Sequence, residues 1–538
     1  MNVPVLNQNA PTKYFDFDVS EDYGAPDCVE KVIRLINNEW PPKPMHVNTG
    51  DNVVITVRNK LFTESLTVHI HGLLFKGAPW ADGAPHITQE PLPPGKEQVL
   101  SFNVGDQVGT YFAHAHNNLQ ELSVYTPFIV HDDNMEMQAL GYHDERIITL
   151  SDNYHRDTDA LMAGLRGPQY RWTGDAQSLL TNGIGSFQGP CSIRPDGQPY
   201  PSSWSITEVQ PGRTYRLRII NAAALGYFQF QISGHRMVVV EADGMLIEPF
   251  EIEALTINSG QRYSVLLTTD QPPQDYWVNH QIIWRRTGPQ NGWSLLRYTS
   301  ANIPFGAIPV VPSVLPPRLP EVPDYMERFL LPRLNDPRGV VPPATRQLMF
   351  RFRSQASPAT ESRVRWTFNE RDWRDPVNTI MLMQKLGQLR TPQDAAHGQV
   401  VHLRRGEVID VIMQGQTNQM GVCEDHPIHL HGHGFWDLGS GPGTFINEQA
   451  PPVPSVAVFR DTTTVYAYSN LNAAAAAPPG TDCGWRRFRF VADNPGAWLL
   501  HCHIPAHLVN GMAAAFLEIP EDIPAPPSDI NNWRPISF

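Results

Sequence analysis

The sequence predicts an all-β chain of consecutive β-sandwich domains, on three observations. Short runs rich in β-branched residues alternate apolar with polar positions, and Gly, Pro, Asn or Asp separate them. Fifty prolines and thirty-nine glycines favour turns and strands over long helices. One unit, a Gly-containing turn followed by an alternating strand, recurs as "NTGDNVVITVRN", "VQPGRTYRLRIIN" and "LRRGEVIDVIMQ". That recurrence is a repeat on the scale of whole domains, far longer than a solenoid period. At 538 residues the chain exceeds one hydrophobic core, and roughly three domains are expected.

The first sandwich is placed at 13–133, on "DNVVITVRNKL", "SLTVHIHGLLF" and "EQVLSFNV". The polar stretch "HDDNMEMQALGYHDE" marks its end. The second, at 134–305, carries "TYRLRIINA", "HRMVVVEADG", "ALTINSG" and "RYSVLLTTD". "IPFGAIPVVPSVLPPRLPEVPD" opens a stiff proline-rich linker taken to 306–339. The third sandwich, at 340–525, holds "VVHLRRGEVIDVIMQ" and "WRRFRFVAD". Strands at this spacing read as sandwiches or barrels.

A net charge of −13 argues against nucleic acid and against anionic membranes as partners. No apolar run is long enough for a transmembrane helix. The opening "MNVPVLNQNAPTKYF" lacks the basic start and apolar stretch of a secretory signal. A mature secreted or periplasmic form restarted at Met1 and an intracellular protein are both open. No N-x-[ST] sequon occurs, so a glycosylated form is not expected. With Cys502 set aside as a metal ligand, Cys28, Cys191, Cys423 and Cys483 remain. Four cysteines allow three pairings, or four buried thiols. An even remainder is what an oxidising compartment would leave.

With His433 set aside, half of the twenty histidines fall in four tight groups: "TVHIHG", "YFAHAHNN", "DHPIHLHGHGF" and "LLHCHIPAHLVNGM". On a strand, an H-x-H pair aims both imidazoles at one face. In "HCH", His501 and His503 would face one way and Cys502 the other. A single H-x-H is more often surface decoration, but four pairs have no use in packing, because buried histidines each need a hydrogen-bond partner. They read as a metal centre. The compact Cys/His spacing of structural zinc is absent. Two histidines and a cysteine with a weak axial methionine make the blue-copper pattern, here His426, Cys502, His507 and Met512. The other eight histidines can hold three more coppers.

These four ordered segments resemble the multicopper oxidases, the laccase and ascorbate oxidase group, over nearly the whole chain. The resemblance implies three cupredoxin-like Greek-key sandwiches and four copper ions: one type 1, one type 2 and two type 3. It implies His69 and His429 on type 2. It puts His71, His114 and His503 on one type 3 copper, and His116, His431 and His501 on the other. Small reductants would then give up one electron each at type 1. The electrons would cross the Cys502 backbone, and O2 would become two waters at the cluster.

"GAPWADGAPHITQ", "VVVEADGMLIEPF", "HGHGFWDLG" and "FVADNPGAW" look more like ascorbate oxidase than fungal laccase. By that resemblance Trp172 and Trp366 flank His507 and hold a flat substrate, an enediol or a phenol. The acid that many laccases carry after the "RIIN" strand would fall near Leu225. The family's acid directly after "HCHI" is Pro505 here, which leaves Asp82 in "WADG" as the evident proton relay. The family's cysteine in "TQC" is Glu90. The resemblance also implies a Cys28–Cys191 bridge between domains 1 and 2, which leaves Cys423 and Cys483 as the remaining pair.

The expected activity is oxidation of an ascorbate-like or phenolic reductant with O2. The alternatives are a laccase-like phenol oxidase or coupling enzyme, and a metal oxidase of Fe(II) or Cu(I) using Met420, Glu424 and Asp425. An intact ligand set argues against an inactive copper-storage relative.

Overall fold

The structure, a computed structural model, describes residues 6–299, 317–356, 364–387, 400–468 and 477–536 apart from a few positions within them. Three two-sheet sandwiches follow one another along the chain. The recurrent sequence unit has a recurrent place in them. Asn52–Asn59 runs parallel to the opening strand Thr12–Gly24, Thr214–Asn221 parallel to Asp144–Asn153, and Val408–Gln416 parallel to Arg346–Ala356. Each then pairs antiparallel with a later strand: Lys96–Asn103, Arg262–Thr268 and Asp482–Val491. The glycine in each preceding turn, Gly50, Gly212 and Gly406, has φ of 78°, 71° and 76°. A Cβ disfavours that conformation, which accounts for the repeated Gly.

The opposite sheet of each sandwich contains a long-range antiparallel pair. It is Val68–His71 with Gly109–Ala115 in the first, Phe228–Ile232 with Asp275–Ile282 in the second, and His426–Leu430 with Gly496–Cys502 in the third. The first and third pairs carry the H-x-H motifs. The second carries a single histidine, His280. The H-x-H motifs therefore lie in the outer two sandwiches, and the second supplies a wall.

Each sandwich has an apolar core, with Val53, Ile55 and Val57 pointing into the first and Leu217, Ile219 and Val265 into the second. Disulfides join Cys28 to Cys191, between the first two sandwiches, and Cys423 to Cys483, inside the third. The chain returns at its end, where Arg534–Pro535 pairs with Lys96 and Glu97 of the first sandwich. Most of the proline-rich stretch lies outside the described residues. From Asp324 the chain is held against the third sandwich, where Tyr468 donates to the Asp324 carboxylate at 2.5 Å. No helix among the described residues is long and apolar enough to cross a membrane.

Candidate metal centre

Strand register brings the motifs together. His69 sits opposite His114 in the first sandwich, and His429 opposite His501 in the third. The second histidine of three pairs lies just beyond its strand, where backbone bonds extend the pairing. His116 N–H donates to Thr67 O at 3.0 Å, His431 N–H to Leu499 O at 2.9 Å and His503 N–H to Pro427 O at 2.7 Å. The strand alternation therefore holds one residue past the strand end.

Eight buried imidazoles converge where the two sandwiches meet. Hydrogen bonds at the outer nitrogen set the direction of most rings. His69 Nδ1 donates to Asp82 O at 2.6 Å, His429 Nδ1 to Asp461 O at 2.9 Å, and His501 Nδ1 to Cys502 O at 2.9 Å. His431 Nδ1 donates to the Asp82 carboxylate at 3.0 Å, and His114 Nδ1 to Ala115 O at 3.0 Å. His503 Nδ1 lies 3.1 Å from Ser259 Oγ. His71 is reversed: its Nε2 donates to Asp461 at 3.1 Å, so Nδ1 faces inward. Such outer bonds fix ring orientation and tautomer, leaving the inner lone pair for a metal.

The inner nitrogens gather closely. His71 Nδ1 is 3.1 Å from His503 Nε2, and His431 Nε2 is 3.2 Å from His501 Nε2. His116, His431 and His501 form one compact trio, His69, His71 and His114 another, and His69, His429 and His431 a third. Nε2 of His69, His114 and His429 and both nitrogens of His116 are buried without a hydrogen-bond partner. Orphaned ring nitrogens in this number are costly unless an ion takes their lone pairs. An all-imidazole set suits copper among the first-row metals.

The other centre lies on the opposite face of the same strands. Cys502 is directly across from Ile428. His426, two residues before Ile428, shares its face, while His429 and His431 point the other way. Cys502 Sγ lies 3.6 Å from Nδ1 of both His426 and His507. His507 comes from the short helix Pro505–Val509. Proline at the first position of that turn loses no bond, since its N–H would be unpaired anyway. Met512 is fully buried in the same core cluster, and its carbonyl accepts the Cys502 N–H at 3.3 Å.

Burial, reinforced by neighbouring imidazoles, holds His71, His116, His429, His431, His503 and His507 well below the usual histidine range. Burial takes His426 and His501 down to about 3. These rings are neutral donors at physiological pH. Burial pushes the Cys502 thiol up, so a metal must displace its proton to bind.

Asp82 is fully buried against His69 and His431. It is not the sole carboxylate at the cluster. Asp461 touches His71 and is gripped by Arg262 through two bonds of 2.7 Å. Glu121 Oε2 lies 3.1 Å from His114 Nδ1. Sequence reasoning missed both, since neither stands at a fixed spacing from a histidine motif. A carboxylate opening the β-branched strand run in "FRDTTTV" was the available signal. Pro505 and Leu225 instead line a small apolar cavity beside Trp172.

The His507 ring centroid lies 4.2 Å from that of Trp366 and 5.5 Å from that of Trp172. Trp366 is only 4% exposed and also packs on His426, whereas Trp172 is half-buried. Trp172 therefore offers the accessible indole face.

Three segments of the chain, 18–135, 144–301 and 367–522, each match a family described as multicopper oxidase. The chain is 33% identical to an L-ascorbate oxidase of Cucumis sativus, over 94% of this chain and 89% of that one. Its fold matches a variant of the laccase from B. aclada with a TM-score of 0.81 at 25% identity, covering 97% of this chain and 91% of that one. It also matches Fet3p, a multicopper oxidase that functions in iron import, with a TM-score of 0.78 at 24% identity, covering 95% and 91%. The sandwiches are cupredoxin-like, the metal is copper, and the chain belongs to the multicopper oxidases, oxidoreductases that use O2.

Proposed function

We propose that this oxidase takes single electrons from a small organic reductant, an ascorbate-like enediol, at a type 1 copper held by His426, Cys502, His507 and Met512. In the same reading three coppers occupy the eight-histidine cluster. His69 and His429 hold type 2. His71, His114 and His503 hold one type 3 ion, and His116, His431 and His501 the other. Bound copper would supply the one-electron chemistry and the four-electron reduction of O2 to two waters. The observation that carries the reading is the placement of Cys502 against His426 and His507 while its neighbours His501 and His503 enter the cluster.

The chain's own groups have separable tasks. Trp172 gives a flat face beside His507 for a planar reductant. The covalent backbone from Cys502 to either adjacent histidine joins the two centres. Asp82 holds His69 and His431 in place and is the buried acid for proton delivery. In this reading a cavity of about 230 Å³ reaching His116, and another of about 230 Å³ reaching Gly72 and Asp461, would serve as routes for O2 and water. The two disulfides suit an oxidising compartment, which supports a secreted or periplasmic location.

A metal-ion substrate is less well supported. Asp425 is committed to the Ala467 N–H at 2.6 Å, and Met420 is 74% exposed at the surface. Leu225 in place of an acid weakens the phenol alternative. Turnover on ascorbate, a methoxyphenol and Fe(II), measured side by side, tests the reading. Ascorbate should give the highest kcat/KM, and a preference for Fe(II) would refute it.

A further inference from the structure

We infer that His46, His131 and Glu145 form a separate surface site for a divalent transition-metal ion, Cu(II), at the junction of the first two sandwiches. His46 and His131 stand on neighbouring parallel strands, Met45–Asn48 and Tyr125–His131. Glu145 comes from the first strand of the second sandwich. The three donor atoms lie within 4.8 Å of one another. His46 is exposed, and His131 and Glu145 are half-buried, so an ion can enter from solvent.

The donor set favours the ion, because Cu(II) binds nitrogen-rich sites more tightly than the other divalent first-row metals. His46 Nδ1 and His131 Nε2 are 2.9 Å apart. Two nitrogens bonded to one metal at about 2.0–2.1 Å lie about 2.9 Å apart at a right angle and about 3.4 Å apart in a tetrahedron. The observed contact is a hydrogen bond between the rings, and a right-angle pair of bonds to one ion could replace it with little movement. Partial burial holds both surface rings below the usual histidine range, and the hydrogen bond their facing nitrogens share is the one an ion would replace. Arg218 bonds Glu145 through Oε2 with both of its contacts, which leaves Oε1 for the cation. That shared arginine lowers the negative charge of the site, so affinity must come chiefly from the imidazoles. An ion here would tie the first sandwich to the second, away from the catalytic coppers.

The test uses the untagged, copper-loaded holoenzyme titrated with Cu(II) alone. One further equivalent should bind with a Kd below about 100 µM. Its EPR signal should show coupling to two nitrogens. His46→Gln and His131→Gln should each weaken this step by about 10-fold or more, with the visible band of the holoenzyme unchanged as a check on folding. Thermal unfolding should shift upward with the added ion in the wild type and not in the double variant. Failure to bind the extra equivalent below about 100 µM overturns the site. So does its retention in the double variant, or a wild-type signal without two-nitrogen coupling.

Discussion

Asp82 holds two cluster histidines at once: its backbone carbonyl accepts from His69 Nδ1 at 2.6 Å, and its carboxylate accepts from His431 Nδ1 at 3.0 Å. One residue thus fixes a ring from each of the two outer sandwiches. It is also a buried acid beside the place where O2 would be reduced.

Replacing Asp82 with Asn keeps the shape and removes the acid. Reoxidation of the reduced enzyme by O2 should slow by well over an order of magnitude, within the ~10²–10⁴-fold range of proton-transfer catalysis. Oxidation of the reductant near His507 should be nearly untouched. Stopped-flow mixing with O2, after copper content is checked, separates the two. Unaltered reoxidation would pass the role to another carboxylate, with Glu121 and Asp461 the first candidates.

Cys502→Ser should abolish the intense visible colour and the turnover of reductant. The eight-histidine cluster should keep its metal, because Cys502 faces away from it. Metal analysis and EPR of the variant give the answer, and a wild-type holoenzyme without colour would contradict the type 1 assignment.

Met512→Leu should raise the potential of the type 1 centre, since removing an axial thioether favours the reduced ion. Redox titration of the visible band measures this. An unchanged potential in a variant that binds copper would reduce Met512 to packing.

Gly260 brings the second sandwich against the cluster. A Cβ there would lie 3.0 Å from both His503 and His71, and the residue has φ of 83°. Gly260→Ala should cost about 1–3 kcal/mol of stability and lower copper occupancy. Thermal melting and metal stoichiometry report the two effects. Normal values for both would mean that the rings move aside freely.

Asp437 is buried against Arg486, with Nε donating at 2.7 Å. Burial alone would raise its pKa, but attraction to Arg486 and the bonds it donates outweigh burial and lower it. A lowered folded-state value means that its stabilisation is present above the ordinary carboxylate range and is lost as pH falls through the folded value. Asp437→Asn should therefore cost about 3–5 kcal/mol at neutral pH, because Arg486 keeps its charge with one partner fewer. The gap from wild type should narrow below about pH 4. A pH-independent gap in denaturant unfolding would show that packing, not charge, is at stake.

The sequence by itself determined the all-β class, the threefold repeat and the clustering of histidines, because these are local. Alternation on a strand has a fixed period of two, so "HCH" must present His501 and His503 to one side and Cys502 to the other. The turn before each repeated strand needs φ above zero, so Gly50, Gly212 and Gly406 recur where a reader can see them. Tertiary structure decided what depends on residues far apart in the chain. It set Asp461 beside His71 across 390 positions and Gly260 against His503 across more than two hundred. It reversed the His71 ring, because the acceptor for Nε2 belongs to another sandwich. It sank Trp366 beneath His507 and left Trp172 half-buried, which no spacing announces. Ring orientation, burial and the partners of a carboxylate follow from packing between domains, and packing is set by the whole fold rather than by neighbours in sequence.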